Sequence, residues 1–134
     1  MNNRTLFELF LCMLGGHGCN IIAFSCGVIQ VYTYSYMHQY DPTLTIKQCH
    51  LHLPLLIFIA ACTGWLQGYL TRWISARLLH GANTCAMCGW CVVLFCGCQS
   101  YVVVTVCMAG IGLSYGMLHV YFLSTVVNRV SRYR

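Results

Sequence analysis

The positions of the charged residues constrain this chain most, because they leave long apolar stretches without any charge. The charged side chains are those of Arg4, Glu8, Asp41, Lys47, Arg72, Arg77, Arg129, Arg132 and Arg134. The uncharged stretches run from Leu9 to Tyr40, from Gln48 to Thr71 and from Leu78 to Asn128. A helix needs about 20 apolar residues to cross the hydrocarbon core of a bilayer. The first two stretches therefore fit one crossing each, and the third is long enough for two.

The third stretch needs a turn if it is to cross twice. The segment Gly97-Cys98-Gln99-Ser100 is small and polar between two apolar segments, which is typical of a turn. We therefore predict an all-α fold, a polytopic membrane protein whose residues 1–134 form a single membrane domain. Its four transmembrane helices are expected at about residues 6–32, 53–70, 80–97 and 102–126.

The composition also indicates lipid rather than water as the solvent. The chain is 59% hydrophobic and 7% charged, whereas about a quarter of the residues of a soluble domain are charged. The net charge of +5 does not predict nucleic-acid binding, because the basic residues lie between apolar stretches instead of forming one basic face.

The distribution of Lys and Arg predicts the orientation of the helices. Arg4, the loop with Arg72 and Arg77, and the C-terminal arginines would lie on one side, and only Lys47 on the other. Cytoplasmic loops are rich in Lys and Arg, so both termini are expected in the cytoplasm (N-in/C-in). The expected location is the plasma membrane.

Small and polar residues recur on one face of three predicted helices. These stripes are Gly16, Asn20, Ala23, Gly27 and Gln30; Ala60, Gly64 and Gly68; and Thr105, Ala109, Gly112, Gly116 and His119. Small residues let membrane helices approach closely, whereas an amide or imidazole in lipid needs a partner or a polar cavity. Asn20, Gln30 and His119 therefore form interhelical hydrogen bonds or line a substrate path.

The eleven cysteines do not predict a metal site. Cys85, Cys88 and Cys91 have a ligand-like spacing, but His50 and His52 are expected at the opposite side of the membrane. Cys49 is expected to be accessible from outside. With Glu8 and Asp41 as the only carboxylates, acid–base catalysis is disfavoured, so neither an enzyme nor a cofactor is predicted.

The segment from Gly64 to Arg77 resembles the signature between the second and third helices of the major facilitator superfamily, Gly-x-Leu-x-Asp-Arg-x-Gly-Arg-Arg. Gly68, Leu70 and Arg77 match this signature, whereas Arg72 stands at the position of the Asp. The glycine-rich segment Gly110–Gly116 is similar to the fourth helix of monocarboxylate and oxalate/formate-type members, and Phe24–Gln39 to their first helix.

The resemblance implies a secondary transporter for small organic anions such as monocarboxylates, and protons would be the coupling ion of the complete transporter. Asn20, Gln30, Tyr115 and His119 would line the substrate path, and the loop motif Gly68, Leu70, Arg72 and Arg77 would serve topology and gating. Members have about twelve helices, so the chain is expected to be a fragment that is not competent for transport alone. The alternative is a four-helix accessory subunit. The partners expected are the lipid bilayer, the anion, and helices from a missing portion or another subunit, with no nucleic acid.

Overall fold

A computed structural model describes residues 3–131 of the chain, and the side chains of 3–5, 19, 22–24, 26–30, 129 and 130 are not described. The described residues form five helices: α1 (Asn3–Met37), α2 (Ile46–His50), α3 (His52–Leu70), α4 (Ala76–Gly97) and α5 (Tyr101–Ser131). No strand occurs between residues 3 and 131. The prediction of an all-α fold is confirmed for this part of the chain.

Each long helix extends beyond the apolar span expected for it, because a helix does not stop where its hydrocarbon-crossing part ends. α4 begins at Ala76, where Ser75 caps the helix by accepting a hydrogen bond from Leu78 N at 3.4 Å. α4 ends at Gly97 and α5 begins at Tyr101, so the connection between them lies within the predicted turn segment.

The short helix α2 was not predicted. It begins after Thr45, whose backbone N–H donates to Gln48 Oε1 at 2.8 Å and whose hydroxyl donates to the same oxygen at 2.9 Å. A side chain that returns to the residue before the helix is half of a capping box. α2 runs almost directly into α3, with only Leu51 between them.

Three segments in the described part of the chain are long and apolar enough to cross a membrane: Ile46–Leu70, Ala76–Gly97 and Tyr101–Asn128. The described apolar segment of α1, Leu6–Gly18, is shorter. In the apolar window of the last segment 56% of the residues are buried, against 22% and 17% in the other two. α5 is therefore the central helix, and α1, α3 and α4 pack on it.

α3 runs parallel to α5. A Cβ atom on Gly112 would meet the backbone of Leu56, and a Cβ atom four residues later, on Gly116, would meet the carbonyl oxygen of Ala60. One more turn along, a Cβ atom on Gly64 would lie 3.1 Å from Val120 Cγ2. The glycines of the predicted stripes on these two helices therefore allow their backbones to approach closely.

α4 and α1 run antiparallel to α5. On the α4 side, a Cβ atom on Gly110 would overlap the Trp90 ring, and Gly97 packs against Val103. On the α1 side, a Cβ atom on Gly15 would lie 2.8 Å from Phe122 Cζ. The starts of α1 and α4 and the ends of α3 and α5 consequently lie at the same end of the bundle.

Candidate functional site

An apolar cleft lies between α3 and α5. Its volume is about 550 Å³. It is lined by Leu53, Leu56, Ile57, Ala60, Ala61, Gly64, Trp65, Tyr115, Gly116, His119 and Val120. We call it the α3–α5 cleft. Two of the four predicted path residues, Tyr115 and His119, therefore line one cleft, and none of its other described lining residues is charged.

His119 and Tyr115 supply the titratable side chains of the α3–α5 cleft. They are one helical turn apart on α5, and their ring centroids are 5.6 Å apart. The Nδ1 atom of His119 is buried and has no hydrogen-bond partner among the described residues. A buried polar atom without a partner loses its hydration without compensation, so this nitrogen is suited to a ligand or a water molecule.

Tyr115 connects the cleft to α1. Its hydroxyl donates a 2.5 Å hydrogen bond to Oδ1 of Asn20. Asn20 and Tyr115 are thus hydrogen-bonded where α1 packs on α5, and His119 lies one turn from Tyr115 on α5. The fourth predicted path residue, Gln30, lies in α1, but its side chain is outside the described residues.

The wall of the cleft on the α3 side is held by close backbone contact. Thr63 Oγ1 is 2.9 Å from the carbonyl oxygen of Ile59 in its own helix and 3.3 Å from that of Leu113 in α5. The same hydroxyl lies against Gly116, where a Cβ atom would overlap it. Gly116 therefore sets the separation between α3 and α5 at the cleft.

The residues of the predicted loop motif lie at the end of α3 and the start of α4. Gly68 and Arg72 are exposed, as is Arg77 in the first turn of α4. The carbonyl oxygen of Leu70 accepts hydrogen bonds from Trp73 N at 3.0 Å and Ile74 N at 2.9 Å. The motif thus forms an ordered, exposed turn and does not line the α3–α5 cleft.

The sequence analysis missed a polar pair at the opposite end of the bundle. His52 is 2% exposed, and its Nε2 atom lies 3.0 Å from Thr105 Oγ1 on α5. Since Thr105 Oγ1 donates to the carbonyl oxygen of Tyr101 at 2.8 Å, it must accept from His52, which places the imidazole proton on Nε2. The sequence indicated only that Thr105 belongs to the stripe of α5. Its partner could not be identified, because that depends on how far α3 is shifted along α5.

The expectation that Cys49 is accessible is wrong. Cys49 is 1% exposed because α2 folds over the ends of the longer helices and places this thiol in a cluster with Met37, Leu44 and Leu56. Nine described cysteines are free thiols. No group of three His, Cys, Asp or Glu side chains that could hold a metal ion occurs in the described part of the chain.

The connection between α1 and α2 contains Asp41, a carboxylate at the same end of the bundle as His52. Asp41 accepts hydrogen bonds from Thr43 Oγ1 at 2.6 Å and Thr43 N at 3.0 Å. These bonds favour the charged carboxylate and hold the pKa of Asp41 below its usual value. The Tyr40 hydroxyl donates to that of Tyr36 at 3.3 Å, and this interaction raises the pKa of Tyr40.

Comparisons of the chain with protein-family models, with curated proteins and with solved structures found no match. No residue role is therefore transferred from a relative.

Proposed function

We propose that the chain crosses the membrane four times, with both termini in the cytoplasm, and acts as part of a major-facilitator-type secondary transporter for small organic anions such as monocarboxylates. The observation that carries the proposal is His119, which lines an otherwise apolar cleft with Tyr115 and whose buried Nδ1 atom has no hydrogen-bond partner among the described residues. Such a group within a membrane is a functional-site candidate by its energetic cost alone.

The length and direction of α1 support a fourth crossing. Its 35 residues correspond to about 52 Å of helix, which exceeds the hydrocarbon thickness of about 30 Å. α1 is antiparallel to α5, and its contacts with that helix extend from Gly15 to Asn20. A helix packed lengthwise on a membrane-spanning helix shares its membrane environment.

The chemistry of the cleft fits an anion that enters together with a proton. A carboxylate in an apolar cleft needs a compensating positive charge, and the described lining residues of this cleft include neither Lys nor Arg. His119 is the described side chain of the cleft that can carry such a charge, because a histidine with protons on both ring nitrogens is a cation. The Tyr115 hydroxyl already donates its hydrogen to Asn20. His119 is therefore the group that we expect to pair with the carboxylate of the anion.

Trp65 provides a native reporter for the test, since it lines the cleft and is 88% exposed. The full chain in lipid nanodiscs would be titrated with lactate while tryptophan fluorescence is recorded. We expect a saturable change that is lost in His119→Gln and in Trp65→Phe. The exposed His50, in α2, provides the control variant His50→Gln, which should respond as the natural chain does. An unchanged response in His119→Gln, or no response in any variant, would refute the proposal.

The second candidate function is an accessory subunit of a larger membrane complex, and the exposed face of α4 favours it. Gly81, Cys85 and Gly89 are exposed at intervals of four residues, and a Cβ atom on either glycine would meet nothing within 4 Å. Such a face permits close approach of another helix. If the chain is such a subunit, a larger membrane protein should co-purify with the natural chain and be lost in Gly89→Leu. If the chain is part of a transporter, the lactate response should be lost in His119→Gln and kept in Gly89→Leu.

A further inference from the structure

The turn between α3 and α4 presents two arginines next to exposed apolar side chains. Arg72 and Arg77 are exposed. Trp73, which follows Arg72, is 77% exposed, and Leu78, which follows Arg77, is 67% exposed. Charge and apolar surface are thus paired twice within seven residues, at the point where one apolar helix ends and the next begins.

Neither guanidinium group forms a salt bridge or hydrogen bond with another residue of the described part of the chain. The only carboxylate side chains in the sequence are those of Glu8 and Asp41. Asp41 lies at the opposite end of the bundle and accepts its hydrogen bonds from Thr43. Within the part of the chain that the structure describes, neither arginine is therefore paired with a carboxylate.

The backbone of the turn is ordered, so these side chains start from fixed positions. Arg72 N donates to the carbonyl oxygen of Tyr69 at 3.2 Å, and Thr71 Oγ1 donates to that of Gly68 at 3.1 Å. On the α4 side, Ser75 caps the helix through Leu78 N. The two arginines thus emerge from a hydrogen-bonded turn at the edge of the apolar helices.

We propose that Arg72 and Arg77 bind the phosphate group of an anionic phospholipid, while Trp73 and Leu78 enter the interfacial and acyl region of the same leaflet. Trp side chains favour the membrane interface, and guanidinium groups bind phosphate through paired hydrogen bonds. The exposed apolar neighbours favour a lipid over free phosphate, because a soluble anion would leave them in water. A net negative headgroup is required, since the choline group of a zwitterionic lipid would repel the arginines.

The test is native mass spectrometry of the full chain released from vesicles of equal parts phosphatidylcholine and phosphatidylglycerol. We expect preferential retention of phosphatidylglycerol. Attraction of about 1 kcal/mol per basic residue corresponds to about fivefold in binding, so R72Q and R77Q should each lower the preference about fivefold. The matched control is K47Q, which removes a basic residue at the opposite end and should leave the preference unchanged.

Three results would overturn the proposal: no preference for phosphatidylglycerol in the natural chain, an unchanged preference in the R72Q/R77Q double variant, or an equal loss in K47Q. In a second experiment, inorganic phosphate is added to the chain as a competitor of the lipid. If it displaces the bound phosphatidylglycerol and binds the chain in phosphatidylcholine alone, the site is one for free phosphate and the lipid assignment is wrong. Circular dichroism of each variant establishes that the helices remain folded. None of these readouts depends on lactate binding at His119.

Discussion

Gly112 on α5 lies so close to α3 that a methyl group at this position would be 2.6 Å from the carbonyl oxygen of Leu56 and 3.1 Å from its Cα atom. Both atoms belong to the backbone, so no side-chain rotation can relieve the overlap. Ordinary contact begins at 3.4 Å, so α3 would have to move away by about 0.8 Å. We therefore expect the overlap in Gly112→Ala to cost more than the helix propensity of alanine returns.

The magnitude follows from the contacts that such a movement weakens. A gap of 0.5–1 Å loses about a quarter to a half of the dispersion energy of each contact, and overpacking of a well-packed interior costs about 1–3 kcal/mol. The matched control is Gly89→Ala on α4, where a Cβ atom meets nothing within 4 Å. Alanine is favoured over glycine in a helix by about 1 kcal/mol, so the control should be neutral or slightly stabilising.

The assay is reversible unfolding of the chain in detergent micelles by added dodecyl sulfate, followed by circular dichroism. Gly112→Ala should lower the free energy of unfolding by about 1–3 kcal/mol relative to Gly89→Ala. Relative to the natural chain the loss should be smaller by about 1 kcal/mol, because alanine is the better helix former. Equal stability of the two variants, or a larger loss in Gly89→Ala, would refute the parallel packing of α3 on α5.

Three further results are expected. A double-mutant cycle with Tyr115→Phe and Asn20→Ala should give a coupling energy of about 0.6 kcal/mol in the unfolding assay, and additive effects would contradict the hydrogen bond between α5 and α1. The pKa of Asp41 is lowered in the folded chain, so its stabilising effect is complete above its usual pKa and disappears as the pH falls through the lowered value. A pH titration followed by the Thr43 amide resonance should have its midpoint below the usual Asp pKa. A midpoint at or above the usual pKa would contradict the structure. Buried Cys49 should react with a soluble thiol reagent only after unfolding, and rapid modification of the folded chain would show that α2 does not cover it.

The helices could be predicted from the sequence because their signals are local. The charges around each apolar stretch and the small polar segment before Tyr101 need no knowledge of other helices. α2 was missed because five residues are too few for a periodic pattern, and its start depends on the hydrogen bonds between Thr45 and Gln48. The same omission led to the wrong expectation for Cys49, which is buried only because α2 folds over the bundle.

The candidate site could be predicted only in part, because a stripe on one helix does not identify the helix it faces. The spacing placed Gly116 and His119 on one face of α5, and the structure brings that face to the α3–α5 cleft. The pairing of Tyr115 with Asn20, and of His52 with Thr105, depends on how far each helix is shifted along α5. Single-helix periodicity contains no information about that shift.

The central claim, four crossings with both termini inside, can be tested with the natural chain because Lys47 is its only lysine. Lys47 is exposed on α2, at the end of the bundle opposite the start of α1. Intact cells would be treated with a membrane-impermeant amine reagent, and the modified peptides would be identified by mass spectrometry. We predict that Lys47 is modified in intact cells, while the N-terminal amine and an antibody epitope at the C-terminus become accessible only after permeabilisation. Modification of the N-terminal amine together with Lys47 in intact cells would contradict the crossing by α1 and with it the proposed topology.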